Sequence, residues 1–375
     1  MVDLSPTLPS REGDQEHMKL RVCFVGLLAA LSIAPAAMAA GDIVYCARYY
    51  AAPTSKETSH FHLYSIDPSG RGRRQLTSGA YDDDLIGWSP DGKSILFTSD
   101  NRRLCVMDAS TGKTRTILST AKGVDLDVWN AFWWPDSKAI VIMGSGTDPA
   151  RVISVSTGKV LSTVKDVQWM SMSSDGDRAY VNDGNGGEVA SLDDGHKVTI
   201  IRPLPTPVKA GDWVTDEAIV GITDGEGDAS DSLIGFNENG TKLWVRAVSP
   251  KHSSNVDLGT PFRNVTAIPG DRRNVVLGED ISDSTIRPNY NFWHANLDTG
   301  NASVWLSEKR FVKFKPQTEQ YLTSPAQALV NFGKAKGGHQ RQVYVVGLQV
   351  GKGIDDAHPK SIVDGMVFVD GADWR

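Results

Sequence analysis

From Asp42 onward the chain alternates short apolar runs with clusters of Gly, Pro, Asp, Asn and Ser. The clearest stretch reads Leu85-Ile-Gly-Trp-Ser-Pro-Asp-Gly-Lys-Ser-Ile-Leu-Phe-Thr-Ser-Asp100. It continues as Arg103-Leu-Cys-Val-Met-Asp-Ala-Ser-Thr-Gly-Lys-Thr-Arg-Thr-Ile-Leu118. The apolar runs are too short for buried helices and are rich in Ile, Val, Phe and Thr. The residues between them are those that tolerate tight reversals and positive φ. The pattern therefore predicts strand, Pro-Asp-Gly turn, strand, loop, strand, Ser-Thr-Gly turn, strand. No segment keeps a helical period long enough to compete.

The same order recurs. Phe132-Trp-Trp-Pro-Asp-Ser137 precedes Ala139–Met143, and Arg151-Val-Ile-Ser-Val-Ser-Thr-Gly158 follows. Ser171–Gly176 precedes Ala179–Val181, Asp212–Asp216 precedes Ala218–Val220, and Ala267–Asp271 precedes Asn274–Leu277. A weak last copy begins at Phe314-Lys-Pro-Gln317. The positions equivalent to Pro90 are then 135, 174, 215, 269 and 316, a spacing that suits one four-stranded blade of a β-propeller. Residues 41–78 show only three strands, Asp42–Tyr49, His62–Asp67 and Arg74–Thr77. The fourth is expected from Ile362–Val369 at the other end of the chain. That would close an all-β ring of seven blades without open edges; six or eight stay open because the last copy is ambiguous.

The Trp88-Ser-Pro-Asp-Gly-Lys93 turn, its apolar strand and the Phe97-Thr-Ser-Asp100 that follows resemble the repeat of the TolB-like, WD40-like β-propeller family. The resemblance is strong over 62–118, fair to about 200 and weak beyond. The Gly-His and Trp-Asp pairs of WD40 repeats are missing. It implies the fold and an exported location, and little about chemistry, because propellers host many functions.

The N-terminal region agrees with export. Residues 1–17 are polar and patternless, an expected upstream extension. Lys19 and Arg21, the apolar run Val22–Ala34 and the Ala37-Met-Ala39 site make 18–40 an expected signal peptide, leaving 41–375 as a single propeller domain. The apolar run is too short for a membrane span, and none is expected in the rest. The net charge of −6 comes without any run of Lys or Arg, which excludes a nucleic-acid partner. Cys46 and Cys105 fall on presumed interior strands. A disulfide is permitted outside the cytoplasm, but two buried small hydrophobes are the plainer reading.

In a four-stranded blade the turns joining strands 1–2 and 3–4 open on one face. Here they are tight and repetitive. The connections on the opposite face are long and varied: Tyr50–His60, Gly144–Ala150, Asp224–Asp231, Pro250–Pro261, Glu279–Pro288 and Gly333–Arg341. Binding loops must differ from one another while scaffold turns need not, so the long-loop face is the expected working face. Two residues before each turn stand Trp88, Trp133, Met172, Trp213, Ala267 and Phe314, suited to packing between blades. Six residues before it, at the expected channel mouth, stand Asp84, Trp129, Gln168, Lys209, Arg263 and Arg310. The ring is polar and its last three members are basic. With Arg287 on the same face, they would receive an anionic group through charge-assisted hydrogen bonds. A solvated rim is the plainer alternative.

Catalytic signatures are sparse. The Gly-x-Ser-x-Gly elbow and His-Glu-x-x-His are both absent. His60 and His62 alternate on an extended segment and so point the same way; with His294 and His339 they are candidates for acid–base work or metal binding. Asp224, Glu226 and Asp228 alternate like the oxygen ligands of a Ca2+ loop, although Ala229 and Gly235 stand where an EF-hand needs Gly and Glu. A Ca2+ or other divalent ion there competes with a simple solvated acidic loop. Two functions follow. The first is a non-catalytic binding or scaffold protein of the cell envelope with a protein or polysaccharide ligand. The second is a polysaccharide lyase on uronate polymers, in which His60, His62 or His339 would abstract the C5 proton.

Overall fold

The computed structural model describes residues 42–49, 60–121, 126, 130–143, 148–184, 186–215, 218–223, 232–250, 262–268, 271–280, 290–306, 314–324, 327–334, 341–347, 360–361, 363 and 367–374. The chain divides into Met1–Ala34 and Pro35–Arg375, and every described residue belongs to the second unit. The expected upstream extension and signal peptide lie outside the described residues. Among the described residues there is no helix, and so none long and apolar enough to cross a membrane.

Strands β1 (Ile43–Tyr49), β2 (His62–Ile66) and β3 (Arg74–Gln75) pair in order. The second sheet is β4 (Asp83–Trp88), β5 (Ser94–Ser99), β6 (Arg103–Asp108) and β7 (Thr114–Ser119). The third is β8 (Asn130–Trp133), β9 (Ala139–Met143), β10 (Ala150–Ser154) and β11 (Val160–Val164). The fourth is β12 (Trp169–Met172), β13 (Arg178–Asn182), β14 (Glu188–Leu192) and β15 (Val198–Pro203). The fifth is β16 (Ala210–Thr215), β17 (Ala218–Thr223), β18 (Ser232–Asn237) and β19 (Lys242–Ala247). Strand β20 (Ser249–Pro250) adds in parallel to the outer edge of the sixth, formed by β21 (Phe262–Ala267), β22 (Asn274–Asp280), β23 (Tyr290–Asn296) and β24 (Asn301–Leu306). Then β25 (Phe314–Ser324), β26 (Gln327–Lys334), β27 (Arg341–Gly347) and β28 (Lys360–Ser361) pair in order, and β29 (Val367–Trp374) returns antiparallel to β1. One parallel pair, Arg341 with Phe368, joins this last group to the first sheet. The first strand of each sheet is its inner strand: β29 lies beside β4, β4 beside β8, β12 beside β16, β16 beside β21, and β25 beside β29.

The turns have a local chemical cause. Ser89 Oγ donates to Asp91 Oδ1 at 2.7 Å, and the same carboxylate accepts Lys93 N–H at 3.0 Å. Ser94 N–H closes the reversal on Ser89 Oγ at 2.9 Å, and Gly92 takes φ 64. Ser173, Asp175, Gly176 and Arg178 repeat this two sheets on, with Ser173 Oγ 2.6 Å from Asp175. Burial pushes Asp91 and Asp175 upward, but the serine hydroxyls and backbone N–H groups outweigh it and hold both carboxyls below their ordinary value. At the other kind of turn Asp108 accepts Ser110 Oγ, Thr111 N–H and Thr111 Oγ1 within 2.6–2.8 Å.

Adjacent sheets pack through large side chains at the positions read from the repeat. Trp88, Trp133 and Trp213 are all buried, and Trp133 Nε1 donates to Gly87 O at 3.2 Å across a sheet boundary. Tyr180 and Val189 of the fourth sheet share a cluster with Trp213, Ile219, Ile234 and Phe236 of the fifth, each such side chain worth about 1.5–3 kcal/mol. The outer turns seat on the preceding sheet. At Gly158 (φ 69) a Cβ would stand 2.5 Å from Ile117 O, so only glycine lets the backbones approach this closely.

The structure corrects two elements. The turn expected at Pro316 is absent, because β25 runs through it to Ser324 and reverses onto Gln327. Pro316 stands at a register shift of an end strand, where a missing N–H is tolerated. The strand facing β1 is Val367–Trp374 rather than Ile362–Val369, with Ile43 opposite Trp374 and a bulge at Cys46/Ala47. Cys46 and Cys105 are buried and are not joined by a disulfide. Cys46 Sγ donates to Asp83 O at 2.7 Å, and burial pushes the Cys105 thiol up.

Candidate functional site

Two groups of side chains meet at the strand ends from which the long connections leave. The first surrounds a cavity of about 330 Å³ lined by Trp169, Asn182, Lys209, Ala210, Gly211, Val265 and Thr266. These residues come from the inner strands β12, β16 and β21, and from the end of β13. Lys209 precedes β16, and its N–H donates to Ile222 O at 2.8 Å, next to where the 224–231 connection departs. Its side chain is exposed, and the Trp169 side chain is 45% exposed, an unusual degree for so large an apolar group.

A buried support holds this wall. Asn182 Nδ2 is directed at Tyr180 Oη (3.0 Å), Val208 O (3.3 Å) and Lys209 O (3.4 Å), while Asn182 Oδ1 accepts Gly184 N–H at 2.7 Å. The amide thereby fixes the backbone that carries Lys209. Burial pushes the Tyr180 phenol up to about 12, and the Asn182 amide pulls the other way. A Cβ on Gly211 would meet the Tyr180 ring at 2.9 Å, which is why β16 has glycine there.

Below the cavity Asp212 ties three inner strands together. Its carboxylate accepts Ser171 Oγ of β12, Trp213 N–H of β16 at 2.9 Å and Ala267 N–H of β21 at 2.8 Å. The side chain keeps some exposed area, but the carboxyl is closely packed. Burial pushes it above the usual carboxylate range although the three hydrogen bonds pull the other way.

The second group lies between the first and second sheets. Asp82 Oδ1 accepts Phe61 N–H at 2.7 Å and stands 3.3 Å from both Arg48 Nη2 and His60 Nδ1. The Arg48 guanidinium lies 4.3 Å over the Phe61 ring. His62 Nδ1 is 3.3 Å from Asp83 Oδ2, and that carboxylate is 1% exposed. The two imidazoles sit 6.4 Å apart, so the alternation read from the sequence does bring them to one side. Their surroundings differ: His60 is half-exposed, and His62 is buried between sheets.

The other expected positions are scattered. Asp84 is half-buried on β4 opposite Thr98. Arg263 is the extra backbone residue of a bulge between Phe262 and Asn264. Trp129, Arg287, Arg310, His339, Asp224, Glu226 and Asp228 lie outside the described residues. His294 is buried within β23 at 4% exposure and is no surface group; burial pushes its imidazole down, against a smaller upward pull from Asp271. Among the described residues no three His, Cys, Asp or Glu side chains are grouped to hold a metal ion. Sequence reasoning missed Trp169, Asn182 and Arg48. Trp169 follows the rim position Gln168 directly, but a tryptophan on a strand reads as core.

Consecutive four-stranded antiparallel sheets whose inner strands stand side by side define the chain as a protein of the β-propeller class. The comparisons agree. The β-propeller domain of the trilobed protease from Pyrococcus furiosus superimposes with a TM-score of 0.54 at 13% identity, covering 87% of this chain and 93% of that one. TolB from Acinetobacter baumannii is 18% identical over 70% of this chain and 62% of its own, with a TM-score of 0.40, so this chain spans less than two thirds of it. An oligogalacturonate lyase from Vibrio parahaemolyticus is 13% identical over 86% of each chain, with a TM-score of 0.48. No family profile and no curated protein matches the sequence. At 13% identity the likeness to the trilobed-protease domain is one of fold.

Proposed function

We propose that the chain is an exported TolB-like propeller of seven blades, closed by β29 beside β1, that binds an anionic ligand at the long-loop mouth without transforming it. The reading rests on one observation: the exposed Lys209 stands beside the exposed Trp169 in a 330 Å³ cavity at that end of the inner strands. An ammonium group and an indole face suit a ring that carries a carboxylate, the ammonium pairing with charge and the indole stacking on the ring. Export is the location that the 18–40 segment supports; N-terminal sequencing of protein made in a bacterial host should begin at Ala40 or Gly41, and a retained Leu28 refutes it.

The His60–Asp82–Arg48 group favours a second reading, a lyase on uronate polymers, in which a half-exposed imidazole is oriented by a carboxylate beside a guanidinium. Among the described residues neither His60 nor His62 lines the cavity, and binding is the preferred reading. Calorimetric titration with a short oligogalacturonate, followed for unsaturated product, tests both. We expect binding without product, and a loss of about 1.5–3 kcal/mol for Lys209→Ala, the range for hydrogen bonds to charged groups. Unchanged affinity in Lys209→Ala removes the site, while product formation that His60→Ala abolishes makes the protein a lyase.

A further inference from the structure

Six large apolar side chains stand in water on the outermost strands of three consecutive sheets: Val160 and Leu161 on β11, Ile200 and Ile201 on β15, Leu243 and Val245 on β19, each 38–55% exposed. Apart from Trp169 in the cavity, they are all the exposed large hydrophobics among the described residues. The outer strand of the second sheet, β7, exposes none. Among the described residues the exposed apolar side chains therefore gather on these three strands. Monomeric proteins seldom gather so many large apolar side chains in water on neighbouring strands unless something covers them.

The charge on these strands is equally local. The stretches 159–165, 197–204 and 241–248 carry Lys159, Lys165, Lys197, Arg202, Lys242 and Arg246 and no acidic residue, in a chain of net charge −6. Arg246 lies 4.6 Å over the ring of the half-buried Trp244. Two features argue against a paired strand as the occupant. Each of the three strands joins its neighbour through a register shift, at Val152/Ile153, Val189/Ala190 and Gly235/Phe236, and β15 ends in Pro203. Bulges, Lys and Pro are the devices by which edge strands resist pairing with another chain. In addition, Leu161, Ile201 and Leu243 are the extra residues of those bulges, so half of the apolar set stands where a ladder of hydrogen bonds to another strand could not form.

We propose that this outer rim of β11, β15 and β19 docks on an anionic lipid surface, its Val, Leu and Ile side chains entering the headgroup region and its Lys and Arg side chains meeting lipid phosphates. Apolar burial and cationic attraction to anionic headgroups add in such binding. The test is flotation of the full chain with vesicles of phosphatidylcholine alone and of phosphatidylcholine mixed with phosphatidylglycerol. Two variants accompany it: Leu161→Ser with Ile201→Ser and Leu243→Ser, and Lys159→Gln with Arg202→Gln and Lys242→Gln. All the replaced side chains are exposed, so thermal unfolding should match the wild type. The N-terminal apolar segment is common to all three proteins and contributes equally. We expect preferential binding to the anionic vesicles, weakened by high salt, and a roughly tenfold or greater loss in each variant. Equal binding by wild type and serine variant overturns the proposal. So does a wild type that ignores vesicles but self-associates in sedimentation, with the serine variant monomeric.

Discussion

Asp212 shows how much one carboxyl carries in this protein. It satisfies a hydroxyl and two backbone N–H groups on three neighbouring inner strands. Asp212→Ala leaves those donors without a partner, and each unsatisfied buried donor costs about 1–3 kcal/mol, so a total loss of at least about 2 kcal/mol is expected in urea unfolding. The pH dependence has a definite sign. The folded state holds the Asp212 proton more tightly than the unfolded chain does. Its contribution is therefore full below the ordinary aspartate range and is lost as pH rises through the raised value. Asp91, Asp108 and Asp175 act oppositely, since their depressed values help the fold at neutral pH and fail in acid. Asp212→Asn removes only the first effect. The stability difference between wild type and Asp212→Asn should shrink steadily from acid to neutral pH, and parallel profiles would show that folding leaves the carboxyl's proton affinity unchanged.

At the scale of elements, most strands were readable because each is bracketed by residues that force a reversal. Ser89-Pro-Asp-Gly92 and Ser173-Ser-Asp-Gly176 build the same hydrogen-bonded turn from side chains within five residues of one another. Where that local chemistry is missing, the reading slipped. Pro316 resembled a turn proline but sits in β25, and the terminal strand moved from Ile362–Val369 to Val367–Trp374. The second error falls on a strand whose position is set by a distant partner, β1, whereas β25 is paired with its immediate neighbour β26 and its link, Ser324-Pro-Ala-Gln327, lacks the Asp-Gly of the earlier turns. The pairing of β29 with β1 makes a strong prediction. Removing residues 360–375 strips β1 of a neighbour along its whole length and uncovers Ile43, Val44, Tyr45 and Cys46, all buried in the intact protein. Thermal unfolding of the truncated chain should move down by many degrees and broaden. An unaltered transition would mean that the C-terminal strand adds nothing to the fold.

At the scale of the whole molecule, the sequence by itself determined the strand-and-turn grammar, the tryptophans between sheets and the burial of both cysteines. All of these depend on neighbours close along the chain or on repetition at a fixed spacing. It also marked Lys209 and brought His60 and His62 to one side, because strand alternation is a local rule. Tertiary structure decided the rest. The cross-strand pair Trp169 and Asn182 of the fourth sheet meets Lys209 at the entry to the fifth; His62 is buried against Asp83 while His60 meets Asp82; and Asp212 finds its partners 41 and 55 residues away. The physical reason is the same in each case. Inner strands of successive sheets touch only after every intervening turn has closed, so the spacing of residues in sequence carries no record of which side chains will face each other across a sheet boundary.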